Sequence, residues 1–238
     1  MIEKTRVSQA PAILWLRRDL RLADNPALAA AIASGLKVLP VYVLDRETPG
    51  PWAPGAASLW WLHHSLASLG AAFTAAGAQL VLRRGRTADV LRHLAHEVGA
   101  AEIHTGRAVE PWARDVLDDI VATAGVPVHT HRTSLLFDPE SIRTQSGGAY
   151  GVFTPFARAC LARPAPAAPL PAPDAIPGAT GIASDRLEDW RLLPDRPDWA
   201  AGLRATWVPG EKAAAARLAK VTAKIVGPIK GEPGTWGW

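Results

Sequence analysis

Arg17, Arg18, Asp19, Arg21 and Asp24 fall within eight residues, where the apolar run Leu14-Trp15-Leu16 gives way to Asn25-Pro26 and an alanine-rich stretch. A guanidinium is a planar, five-donor fork that grips carboxylates, carbonyl oxygens and phosphates at two points. Alternating such groups with carboxylates has two uses, and the residues alone leave both open. The charges either form an internal ion-pair network that locks a loop, or the arginines donate to a ligand or another domain. No Gly-x-Gly-x-x-Gly follows, so a dinucleotide fingerprint is missing.

Other chemistry-bearing residues read as structural. His63 and His64 are adjacent on a helical pattern and point apart, so they cannot share a metal. His93 and His96, at i and i+3, share a face without a third ligand. His129 and His131 alternate on a strand, point the same way and read as buried or edge polar residues. No metal site is expected. Ser65, Ser134 and Ser141 lack a nucleophile-elbow context. Cys160, the single cysteine, reads as inert core and excludes both a disulfide framework and a cysteine metal cluster.

The elements that must position the charged loop follow from hydrophobic patterning. Residues 12–16, 37–44, 78–83, 101–105 and 126–131 read as strands, and helix patterns lie near 26–34, 56–76, 87–98 and 111–124. Near-continuous apolar strands alternating with helices imply an α/β fold: a five-stranded parallel Rossmann-like sheet with helices on both faces. Asn25 is placed as an N-cap with Pro26 in the first turn, Pro111 opens the fourth helix, and Gly35, Gly77, Gly99 and Gly125 follow helix ends. Asp115, Asp118 and Asp119 read as a solvated face. In such sheets ligands bind beyond the carboxyl ends of the strands, where the strand order reverses. The charged loop sits at one of those ends.

After residue 133 the rhythm stops. Residues 163–200 hold eight prolines and read as a long, partly extended linker rather than a core element. A short helix is expected over 211–226, with Leu218, Val221 and Ile225 as its apolar stripe. In 150–161, Thr154 is placed as a cap with Pro155 at the first helical position, and Val152, Phe153 and Phe156 are expected to pack under the linker. The domain boundaries read as 1–133 for the α/β unit, 134–208 for the connection and 209–238 for the start of something further.

The chain carries a formal charge of +4. Residues 201–238 hold six Lys/Arg against two Asp/Glu, so the body is neutral and gives little sign of a phosphate-binding face. The N-terminal apolar run of about five residues falls short of a signal peptide, and no run approaches the ~18 apolar residues of a membrane span. A cytoplasmic monomer is expected.

Taken together, six stretches in order resemble the photolyase and cryptochrome family: "LWLRRDLRLADNPAL", "VLPVYVLD", "GAASLWWLHHSLASL", "VEPWARD", "YGVFTPFARA" and "LLPDRPDWAAGLRATWVPGE". The resemblance implies an N-terminal α/β domain that holds an antenna pigment, a deazaflavin or methenyltetrahydrofolate. It also implies a separate helical domain that binds FAD and the DNA lesion. Light-excited reduced flavin there splits a pyrimidine dimer flipped out of the duplex. Positions matching the antenna site are Arg17, Arg18, Asp19, Asp45 and Glu110. Relatives often carry a cation where this sequence has Leu59, which would remove a charge-assisted pigment contact. Only Gly234-Thr235 echoes the family's flavin-phosphate segment, so no catalytic residue carries over. The chain is expected to be the antenna half of a DNA photolyase, truncated within the FAD domain, without repair activity or DNA binding of its own. The rivals are a nucleotide- or pigment-binding α/β module, a cryptochrome-like signalling protein and a nonfunctional fragment.

Overall fold

The structure, a computed structural model, describes residues 10–225. Five strands, β1 (Ala12–Leu16), β2 (Val38–Leu44), β3 (Val81–Arg84), β4 (Glu102–Gly106) and β5 (Val128–His131), form one parallel sheet in the order β3-β2-β1-β4-β5. The order reverses beside β1, between its pairings with β2 and β4. Helices α1 (Pro26–Ala33), α2 (Ala56–Ala75), α3 (Thr87–Val98) and α4 (Pro111–Thr123) connect the strands. Strand period puts Leu14 and Leu16 on one face, packed with Leu28, Leu66, Leu69 and Phe73 of α1 and α2. Ile13 and Trp15 point the other way, against Leu91, Leu94, Val116 and Ile120 of α3 and α4. This double covering explains why β1 is buried along its whole length. The α/β, five-stranded, Rossmann-like expectation holds, with each strand and helix displaced by only a few residues at its ends.

The expected caps are in place at α1. Asn25 Oδ1 accepts the Leu28 N–H at 3.1 Å, and Pro26 occupies the first turn. Pro111 opens α4 and Gly99 closes α3 in the left-handed conformation, also as expected, but the start of the next helix differs. Helix α5 (Phe153–Leu161) begins one residue before Thr154, with Val152 as its uncapped N-cap. Phe153 is 79% exposed and Val152 is exposed too, so neither packs under the linker. Their packing was inferred from apolarity alone, and nothing in the chain's local pattern supplied a partner. Cys160 is only half-buried rather than core.

The proline-rich connection is a larger correction. Its second half enters both core layers: Ile176, Trp190 and Leu192 join the α1/α2 side, and Ala179 and Ile182 the α3/α4 side. Val38 N–H donates to the Pro177 carbonyl at 2.8 Å and Ala179 N–H to that of Val38 at 2.9 Å. Further on, Leu82 N–H donates to Ser184 Oγ, and Asp185 N–H to the Leu82 carbonyl. The segment thereby satisfies the outward N–H and C=O of Leu82 on β3, an edge strand of the sheet, and those of Val38 on β2. Proline density signals an absence of helix and ladder, not an absence of burial. Beyond it lie α6 (Ala201–Thr206) and α7 (Glu211–Ile225). On α7, Leu218 is 68% exposed and Val221 is exposed as well. The side chain of Ile225 and residues 226–238, including the Gly234-Thr235 echo, lie outside the described residues.

Gly178 passes so close to the turn before β3 that a Cβ there would stand 2.5 Å from Ala78 Cα and from the Gly77 carbonyl oxygen. Both obstacles are backbone-linked and cannot swing aside. Gly178→Ala is therefore expected to destabilise the chain by about 1–3 kcal/mol, read as a lower urea midpoint with unchanged slope.

Candidate functional site

The carboxyl ends of β1 and β2 and the first turns of α2 and α4 enclose a cavity of about 550 Å³, within the size range of small-molecule sites. It straddles the point where strand order reverses. Trp15, Tyr42, Trp61 and Trp112 supply aromatic walls, and Arg17, Arg18, Asp45 and Glu110 the charge. Gly55 and Glu110, the N-caps of α2 and α4, make no side-chain capping bond. The partial positive charge of both helix ends is therefore directed at the cavity.

The loop charges divide their tasks. Arg17 lies across the Trp15 ring at 4.9 Å and donates to the Gly106 carbonyl of β4. Burial pulls its pKa down, Asp19 and Glu110 oppose that shift, and Arg18 adds to it. Its Nε is buried without a partner. Arg18, largely exposed, meets Glu110 Oε1 at 2.7 Å as an ion pair. Arg21 turns away and locks the loop, donating to the carbonyls of Ala23, Asp24 and Thr133. Asp19 is buried, accepts the Arg17 N–H at 3.1 Å, and does not line the cavity. Gly106 must lack a side chain beneath it: a Cβ would stand 2.3 Å from Thr133 Oγ1 and 3.1 Å from Asp19 Oδ2. Loop-locking and cavity contact are thus both present, carried by different residues.

Asp45 lines the cavity but is occupied. Its Oδ1 accepts the N–H groups of Glu47 and Thr48, and its Oδ2 accepts Thr48 Oγ1 together with the N–H and hydroxyl of Thr87. It thereby caps α3 from the neighbouring strand, since the helix's own N-cap, Arg86, makes no side-chain capping bond. Burial alone would raise the carboxyl pKa. The hydrogen bonds from Thr48, Thr87 and Glu47 outweigh it and hold the group below the ordinary carboxylate range.

Leu59, the position where a cation was expected to be missing, is buried in the α1/α2 core and is absent from the cavity wall. Ser58 and Leu62 face the cavity instead. A one-residue offset on a helix turns a side chain by about 100°, which a motif match cannot reveal.

Two contributors were invisible in the sequence. Glu211, at the start of α7, accepts the N–H groups of Leu22 and Ala23 through its two oxygens, both at 2.8 Å. Trp207 packs edge-on against Trp61 at 5.8 Å and lies beneath the Arg217 guanidinium at 4.1 Å. Part of the cover over Trp207 is thus supplied from within the chain. Outside the cavity lining, Glu102 and His104 of β4 lie beside His129 and His131 of β5. The two strand histidines do share a face, as expected, but their partners come from another strand.

Residues 12–174 match the DNA photolyase family. The chain belongs to the DNA photolyase family. The deoxyribodipyrimidine photo-lyase of Agrobacterium fabrum is 40% identical over 226 residues, covering 93% of this chain and 46% of that protein. Cryptochrome-1 of Arabidopsis thaliana is 32% identical over 206 residues, covering 84% of this chain and 30% of that protein. A crystal structure of a bacterial class III photolyase from Agrobacterium tumefaciens gives a TM-score of 0.81 at 38% identity, covering 92% of this chain and 46% of that one. The chain spans about half the length of the photolyases it matches. Among the described residues, no helix is long and apolar enough to cross a membrane.

Glu211→Ala would leave two loop N–H groups without their charged acceptor. A loss of about 1.5–3 kcal/mol is expected, along with faster proteolysis near residues 199–210; Glu211→Gln should recover part of both. For Asp45 the depressed carboxyl pKa means its stabilisation is present above the unfolded value of about 3.9 and is lost as pH falls through the lower folded value. Wild type should therefore be more stable than Asp45→Asn at pH 7, and the gap in urea midpoint should close in acid below about pH 4.

Proposed function

We propose that this chain carries the light-harvesting pigment site of a DNA photolyase, in the cavity between Arg17, Arg18 and Glu110. The observation that carries the reading is the Arg17 guanidinium, held with Arg18 and Glu110 in the wall of an aromatic-lined cavity at the carboxyl edge of the sheet. A planar heterocycle with carbonyl oxygens on its edge suits a wall that combines aromatic faces with cationic donors. The donor set fits a deazaflavin or methenyltetrahydrofolate: flat, polar-edged rings that Trp15, Tyr42 and Trp112 can flank and Arg18 can reach from the rim. When bound, such a pigment absorbs near-ultraviolet or blue light and passes the excitation on. Asp45 and Asp19 serve by holding the walls, Asp45 through α3 and Asp19 through the Arg17 backbone.

In the full-length family that excitation reaches FAD in a helical domain, and the reduced flavin splits pyrimidine dimers in DNA. On this reading the matched half is the antenna. The likeness to Cryptochrome-1 supports light signalling as a second reading. Blue-light repair of a dimer-containing oligonucleotide by a full-length protein bearing this half separates the two.

Titrating the purified chain with each pigment should shift the pigment's absorption band and quench tryptophan emission at one equivalent. Arg18→Ala, at an exposed position where little burial is lost, should weaken binding roughly tenfold to a hundredfold. Failure of both pigments to bind a folded chain would remove the proposal.

A further inference from the structure

The α1 face of β4 and β5 carries a second cluster of chemistry-bearing groups, none of which lines the cavity. Register pairs His104 with His129 and Gly106 with His131, so alternate residues of both strands share one face. Glu102 and His104 stand there on β4, and His129 and His131 on β5. His104 Nε2 lies 3.0 Å from Glu102 Oε1, and His129 Nε2 lies 3.3 Å from Glu102 Oε2. One carboxylate thus draws an imidazole nitrogen to each of its oxygens. The ligand atoms of all three residues lie within 4.8 Å of one another. The His104 ring is buried, Glu102 is mostly buried, and His129, 47% exposed, leaves an approach from solvent.

We infer that Glu102, His104 and His129 form a binding site for a divalent transition-metal ion of the zinc class. Two imidazoles and a carboxylate are a zinc-type donor set, and a metal held at ~2.0–2.2 Å from each donor needs ligand separations near those present. Imidazole nitrogen selects zinc, nickel, copper or cobalt over the hard cations calcium and magnesium, which take oxygen. Three protein ligands leave a fourth position for water on the open side, beside His129.

The surroundings favour this use. His104 Nδ1 is 2.9 Å from His131 Nε2. In the structure as it stands the Glu102 carboxylate can only accept, so His104 Nε2–H donates to it and His104 Nδ1 accepts from His131 Nε2–H. A ligating histidine keeps its ring orientation through a partner on its other nitrogen; with a metal in place of the Nε2 proton, His131 would serve by accepting a proton on Nδ1 instead. The ring stacking of His104 on both neighbours, at 5.0 and 5.2 Å between centroids, fixes its plane further. A bound ion would fasten β5, a four-residue strand at the sheet edge, to β4. The motif escapes a scan by sequence spacing because its ligands are a Glu-x-His pair and a histidine 25 residues on, brought together only by strand pairing.

The test uses the 238-residue chain without a histidine tag. Calorimetric titration with zinc chloride should show one saturable site and a raised thermal midpoint, and magnesium chloride should do neither. Cobalt chloride should give the visible absorption of a low-coordinate nitrogen-oxygen site. His129→Ala and Glu102→Gln, both chosen over the buried His104, should weaken zinc binding at least tenfold while far-ultraviolet circular dichroism stays unchanged. His131→Ala, which removes only the orienting partner, should weaken it about tenfold to a hundredfold. The surface pair variant His93→Ala/His96→Ala should bind as wild type. Absence of saturable zinc uptake, or uptake that survives His129→Ala and Glu102→Gln, overturns the site.

Discussion

The Arg17 guanidinium is the tie on which this fold turns. It leaves the end of β1, crosses the face of Trp15, and donates to the carbonyl of Gly106 at the end of β4. These are the two strands between which the sheet order reverses. Parallel sheets splay there, because the connections leave in opposite directions. A desolvated cation bridging the gap costs free energy that the Gly106 carbonyl, the ring face and nearby carboxylates offset. With the bridge in place the strand ends keep their spacing, and an aromatic-walled space between them persists.

The remaining loop charges make sense as guards of that tie. Asp19 fixes the backbone from which Arg17 springs, Arg21 binds the loop to Thr133, and Glu211 closes over Leu22 and Ala23. Asp45 acts similarly on the other wall by capping α3. A site with few free polar groups, each held by neighbours, favours a rigid ligand over a reactive one. That is the expected character of a pigment pocket, which must hold a chromophore still rather than transform it.

Much of the fold was legible because strands 12–16 and 38–44 are buried on both faces and therefore uniformly apolar, while Asn25-Pro26 and Pro111 mark helix starts unambiguously. Four of the five residues assigned to the site, Arg17, Arg18, Asp45 and Glu110, do line one cavity. Asp19 points inward, since adjacent loop residues need not share a direction. Leu59 faces the core because helical phase, not motif membership, decides what a side chain meets. The linker's burial was hidden because Ile176, Ala179 and Ile182 are too widely spaced to show a period. The Glu102-His104-His129 grouping was hidden because register between strands is a property of the sheet, absent from either strand alone.

The clamp between Glu211 and the first loop joins residues 189 and 188 positions apart. During synthesis the loop emerges early, and its acceptor follows only after the intervening strands and helices have been made. The strands and helices around the crevice can pair first, each with near neighbours in sequence. Long-range closures of this kind come late, after the entropy of the intervening chain has been overcome. The rim of the crevice is accordingly the last part of this fold to set.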